Sequence, residues 1–119
     1  SALTTIYFLL VAGQHSRWHR VRSDEVWHFY EGDPLELHVA PPSVESCAKI
    51  TLARFSVDTV PVYTVPAGWW QGARTSKEFT LAGCSVGPGF DFADFSYLAD
   101  QPHEARRLRA LDPIAAQLI

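Results

Sequence analysis

Three side chains able to move a proton or hold an ion stand in two short stretches. His19 and Glu25 lie in Gly13–Gly32, GQHSRWHRVRSDEVWHFYEG, where five residues separate Gly13 from His19 and His19 from Glu25, and six precede Gly32. Gln71 closes the second stretch, Val65–Gln71, VPAGWWQ. We read the two as halves of one pocket. An imidazole beside a carboxylate is held in one tautomer and its basicity is raised, so His19 is the candidate base and Glu25 its orienting partner. A tyrosine is the candidate opposing acid. Strict alternation puts Tyr30 on the face away from Glu25, which leaves Tyr7. Arg17 reaches a ligand carboxylate or phosphate if it points inward. Trp27, Phe29, Trp70 and Gln71 are candidate ligand-binding side chains. The plainer account of His19 is a buried histidine bonded to Glu25 that only fixes the turn.

The same residues raise the question of a metal. His19, Glu25 and Gln71 offer one imidazole, one carboxylate and one amide oxygen. That is a poor set for iron, nickel or zinc, which favour imidazole. The expectation is that no cofactor is required, or that a divalent ion of unknown identity is held weakly.

Positioning these groups needs strands. Thr4–Val11 is β-branched and aromatic with little alternation, which predicts a strand covered on both faces, one of them by a partner sheet. Ser16–Val21 follows as a short strand. Glu25–Tyr30 alternates so that Glu25, Trp27 and Phe29 share one face and Val26, His28 and Tyr30 the other. His19 and Glu25 thus flank a turn between what read as adjacent strands. Leu35–Val39 is a further strand, and Ala48–Val57 alternates more loosely. Pro61 confines Thr59–Val65 to an edge or a strand start. Trp69–Arg74 and Glu78–Val86 complete the set, and Phe90–Phe95 predicts a last strand with its rings inward. The neighbours Trp69 and Trp70 face opposite sides, one at the pocket mouth. Only the tail is helical: Gln101-Pro102 opens it, and Glu104 followed by Arg106, Arg107 and Arg109 suits the helix dipole. Eight or nine short strands with Gly/Pro turns predict one all-β sandwich or barrel over residues 1–119.

Composition bounds the function classes. Hydrophobic residues make up 47% and charged residues 19% of the 119, with a net charge of −3, an ordinary globular balance. Seven Phe, four Trp and four Tyr supply the bulk of a barrel interior. Lysine and arginine gather in no long run, so neither nucleic acid nor an anionic membrane is an expected partner. The apolar run Ile6–Ala12 is too short to span a bilayer and lacks a basic leader. Two cysteines, Cys47 and Cys84, are thin evidence for a disulfide scaffold, and a reduced cytoplasmic protein is the expectation. Cys84 reads as a buried packing residue. His28 reads as an outer-face residue, and His15, His38 and His103 as surface residues.

The chain also resembles the cupins. Gly13-x5-His19-x-Val21-x3-Glu25-x6-Gly32 is similar to the first cupin motif, G-x5-H-x-H-x3-4-E-x6-G, and departs from it at Val21, where metal-binding cupins carry a second histidine. Pro66 and Gly68 match the second motif, P-x-G-x2-H, with Gln71 in place of its histidine. The segments Ile6–Leu10, His19–Leu37, Val65–Trp70 and Gly83–Phe95 resemble one uncharacterised cupin family almost throughout, the last twenty or so residues excepted. The resemblance implies a double-stranded β-helix, the RmlC-like jelly-roll barrel, with a short C-terminal helix, and a homodimer. It implies little about the reaction, because the fold hosts many activities. The dTDP-sugar epimerases that share the barrel use a pocket histidine to remove a proton next to a carbonyl. Three readings follow for a small-molecule ligand: an acid–base enzyme of isomerase, epimerase or lyase type, a metal-dependent dioxygenase-like enzyme, and a non-catalytic binding module for a small metabolite.

Overall fold

The computed structural model describes all residues 1–119. Nine strands run in chain order: β1 Thr4–Val11, β2 Ser16–Arg20, β3 Asp24–Gly32, β4 Leu35–Ala40, β5 Ala48–Leu52, β6 Val62–Val65, β7 Trp70–Thr75, β8 Phe79–Gly87 and β9 Ser96–Tyr97. One helix, α1, spans Pro102–Leu111. The strands form two antiparallel sheets, in the orders β1-β8-β3-β6 and β5-β4-β7-β2-β9. This is the jelly-roll barrel expected from the sequence. No helix is long and apolar enough to cross a membrane.

Period two decides what each sheet buries. Inward-facing Leu35, Leu37 and Val39 of β4 meet Trp27, Ala82 and Cys84 of the opposite sheet, and Leu10, Leu52, Val65 and Ala73 complete this core. The outward face of the second sheet is covered too. Trp18, Ala40 and Trp70 pack there against Leu98, Ala105, Leu108, Ala115 and Leu118 from the C-terminal segment. β2 is therefore shared: Trp18 and Arg20 serve the outer layer, while Arg17, His19 and Val21 turn inward.

The three glycines of the motif stretches have a common physical reason. Gly13, Gly32 and Gly68 adopt φ of +86°, +96° and +81°, a region that L-residues with a Cβ rarely occupy. At Gly32 a Cβ would also lie 2.5 Å from the carbonyl oxygen of Phe79.

Three expectations are corrected. β2 and β3 are not paired neighbours but belong to different sheets, so the turn between His19 and Glu25 crosses the barrel. The strand expected over 48–57 ends at Leu52. Residues 90–95 form no strand: the Asp91 side chain accepts a hydrogen bond from Ala93 N at 2.9 Å and opens a 3-10 turn, Phe92–Asp94. That turn leaves Phe92 exposed. Within one chain, Tyr7 and Leu9 stand exposed on the outer face of β1, an edge strand.

His38, expected at the surface, is instead buried on the outer face of β4, with neither ring nitrogen bonded. Trp18 lies against it, and the carboxylate of Glu36 is 4.0 Å from its Nε2. Burial pushes its pKa below the usual histidine value, and nearby Lys49 and Arg74 add to this against the pull of Glu36 and Asp112. The unfolded chain therefore binds a proton that the folded protein resists, and stability falls as pH drops below about 6.5. His38→Leu removes an unsatisfied buried group. It is expected to raise the melting temperature more at pH 5.5 than at pH 8, as thermal denaturation at the two pH values would show.

Candidate functional site

A cavity of about 520 Å³ opens at one end of the barrel, a size suited to a small metabolite. β1 contributes Thr4, Ile6 and Phe8, β3 contributes Glu25, and β8 contributes Cys84 and Val86. From the second sheet come Arg17, His19 and Tyr97, with Phe90 and Phe95 closing one side. The register of β2 against β7 shifts by one residue between the pairs Ser16↔Ala73 and His19↔Gln71. Such a bulge re-aims side chains, and here it lies directly before the histidine.

The His19 ring lies nearly parallel to Phe95, with centroids 5.1 Å apart and planes at 14°. Its Nδ1 is 2.7 Å from the carbonyl oxygen of Arg17. A carbonyl only accepts, so Nδ1 carries the proton, and in the neutral ring Nε2 is left with a free lone pair. The expected tautomeric control by Glu25 is thus corrected: the backbone of Arg17 exerts it.

Glu25 sits at the base of the cavity and is buried. Gln71 Nε2 donates to its Oε1 at 2.9 Å, and the Trp27 indole N–H donates to Gln71 Oε1 at 2.7 Å. The chain Trp27–Gln71–Glu25 fixes the carboxyl from behind. Burial raises the Glu25 pKa above the usual carboxyl value, while the charge of His19 and hydrogen bonds from Gln71 and Cys84 pull it down. The Cys84 thiol is itself pushed far up by burial and by this carboxylate.

A carboxyl whose folded pKa is raised contributes stability that is present below the unfolded value near 4.5 and lost as pH climbs through the folded one. Glu25→Gln, which keeps an oxygen for the Gln71 amide, is therefore expected to raise stability at pH 8. At pH 4 it should change little. Melting curves at both pH values test this.

The structure sorts the sequence candidates clearly. His19, Glu25 and Arg17 line the cavity. Tyr7 does not: it is 81% exposed on the outer face of β1, edge-on to Tyr30. Trp70 does not line the cavity either, being fully buried in the outer layer with its indole N–H donated to Pro42 O and Arg20 stacked on its ring. Trp27 and Gln71 are buried behind Glu25 and act through it. Phe29 packs on the main core. The rest of the wall escaped the sequence reading as site residues, His15, Phe90, Phe95 and Tyr97 among them. Cys84, read as packing alone, also reaches the cavity.

The metal set fails on chemistry. Gln71 has its oxygen turned to Trp27 and its nitrogen to Glu25, so it offers nothing to the cavity. Nowhere do three or more His, Cys, Asp or Glu side chains converge closely enough to hold an ion. The residues do not fit a resident transition metal of the cupin kind.

Comparison with known proteins gives three kinds of finding. The family Cupin_5, described as cupin superfamily (DUF985), matches residues 1–98. No curated protein matches the chain. Among solved structures, a protein from Shewanella oneidensis shares 31% identity over 98% of this chain and 74% of its own, with a TM-score of 0.81. A hypothetical protein from Leishmania major shares 31% over 92% and 76%, with a TM-score of 0.76. A dTDP sugar isomerase from Desulfovibrio desulfuricans shares the fold at 12% identity, over 79% and 62%, with a TM-score of 0.67.

Proposed function

We propose, for a chain that belongs to the Cupin_5 family (DUF985) of the cupin superfamily, that the protein is an acid–base enzyme acting on a small carbonyl-containing metabolite. The observation that carries this is the His19 bond to the Arg17 carbonyl. It leaves Nε2 as the unprotonated nitrogen of a neutral ring that lines the cavity.

The chemistry follows from that tautomer. Nε2 takes a proton from a carbon next to the substrate carbonyl, and the electron pair left behind moves onto the carbonyl oxygen as an enolate. Glu25 lines the same cavity, and its carboxylate charge favours the imidazolium that forms. Return of a proton to another carbon or face gives an isomer or epimer, and loss of a neighbouring leaving group gives a lyase reaction. Tyr97 replaces Tyr7 as the candidate acid, because its side chain lines the cavity and it pairs with His19 across β2 and β9. The isomerase named among the structures of the same fold agrees in reaction type. A homodimer is supported by the outer face of the first sheet, where Tyr7, Leu9, Tyr30 and Val62 stay exposed and β1 and β6 form the edges.

The test is incubation of small oxo acids and keto sugars with the protein in deuterated water, followed by proton NMR. Enzyme-dependent loss of the signal next to the carbonyl supports the proposal. Binding without exchange across the panel would instead make the protein a binding module.

A further inference from the structure

Resting on the acid–base reading, we infer that the cavity selects a small 2-oxo acid with a planar apolar substituent, its carboxylate held by Arg17. Two features carry this, and the first is charge. Arg17 and Glu25 are the only Lys, Arg, Asp or Glu side chains in the cavity wall, and Glu25 is engaged at the base by Gln71. Arg17 has no acidic partner: the arginine ion pairs of the protein are Arg22–Asp94 and Arg74–Glu36. Its guanidinium is instead parked on the Tyr97 ring, 4.5 Å from the centroid. A stacked guanidinium keeps its edge donors free, and its fork matches a carboxylate with two parallel hydrogen bonds.

The second feature is the wall. Phe95 meets Tyr97 edge to face at 4.8 Å and 83°, and Phe90 meets Phe95 at 6.2 Å and 69°. With Ile6, Phe8 and Val86 opposite, they form an apolar slot with few donors or acceptors for hydroxyl groups. A flat hydrocarbon or aryl group is favoured there, since a polyhydroxylated ring would leave its hydroxyls unpaired. A diphosphate ester would bring at least two negative charges to a wall with one unpaired arginine. In a 2-oxo acid the carboxylate, the carbonyl and the acidic C–H are contiguous. Anchoring the carboxylate on Arg17 therefore brings the C–H towards His19, two residues along the same strand face.

The probes are phenylpyruvate, its methyl ester and pyruvate, titrated calorimetrically into wild type, Arg17→Gln and His19→Gln. Phenylpyruvate is expected to bind wild type about tenfold or more tightly than either its ester or pyruvate. Arg17→Gln should erase the difference between acid and ester, while His19→Gln should preserve it. Equal binding of acid and ester by wild type, or an acid preference that survives Arg17→Gln, overturns the inference. Deuterium exchange on the same samples separates it from the function it rests on. Arg17-dependent binding with no exchange at carbon leaves the ligand class standing and sinks the acid–base reading. His19-dependent exchange of other carbonyl compounds, with no acid preference, does the reverse.

Discussion

His19→Gln is expected to slow proton exchange at the substrate carbon by about 10²- to 10⁴-fold, the usual contribution of a positioned general base. The substitution is chosen for what it keeps. A glutamine amide can still donate to the Arg17 carbonyl and fill much of the space against Phe95, so the wall of the cavity survives. What disappears is the basic lone pair of Nε2. The loss should therefore fall on kcat, with KM and melting temperature near wild type. If His19 served only to brace the turn, activity would persist in this variant. Glu25→Gln should lower the rate as well, because the charge beside the imidazolium is gone, while stability at pH 8 rises. Opposite signs for rate and stability at one position distinguish a functional carboxyl from a structural one.

Trp18→Ala is expected to destabilise the protein by about 3–5 kcal/mol, the range for removing a large buried aromatic. Trp18 is 1% exposed, and its indole N–H donates to Ala115 O at 2.7 Å. That bond ties β2 to the C-terminal 3-10 turn, Ala115–Leu118. Trp18→Phe should cost less, since most of the packing remains and chiefly the Ala115 carbonyl is left unpaired, at about 1–2 kcal/mol. Urea denaturation would give both values as shifts in midpoint at constant slope. The site should feel the change, because Trp18 lies between Arg17 and His19 on one short strand. Activity in Trp18→Ala should fall even at temperatures where the protein stays folded.

How much of this was legible in the sequence depended on what lay within one strand. Alternation in Glu25–Tyr30 placed Glu25, Trp27 and Phe29 on the inner face, as observed. The motif glycines marked backbone that only glycine adopts easily. Gln101-Pro102 marked the start of α1, as observed. Misplacements arose where a second element decides. Trp69 and Trp70 were rightly put on opposite faces, but neither lines the cavity: Trp69 packs on the main core, and the C-terminal segment covers Trp70. His38 is buried against Trp18, and nothing in the alternation of β4 announces it. Tyr7 misled because β1 is apolar on both faces, so its parity carries no signal. In Phe90–Phe95 the aromatic–acid alternation mimicked a strand. Asp91 two residues before Ala93 was the competing signal, a side chain that opens a turn by capping it. Phe90 and Phe95 flank that turn, and Tyr97 is brought to the cavity by the pairing of β9 with β2.

The most direct measurement is the tautomer of His19, read by two-bond proton–nitrogen correlations on ¹⁵N-histidine-labelled protein, with His19→Gln used to assign the signal. At a pH where the ring is neutral, the proton is expected on Nδ1, bonded to the Arg17 carbonyl, with Nε2 bare. A neutral ring protonated on Nε2 would contradict the account, since no base would then face the substrate.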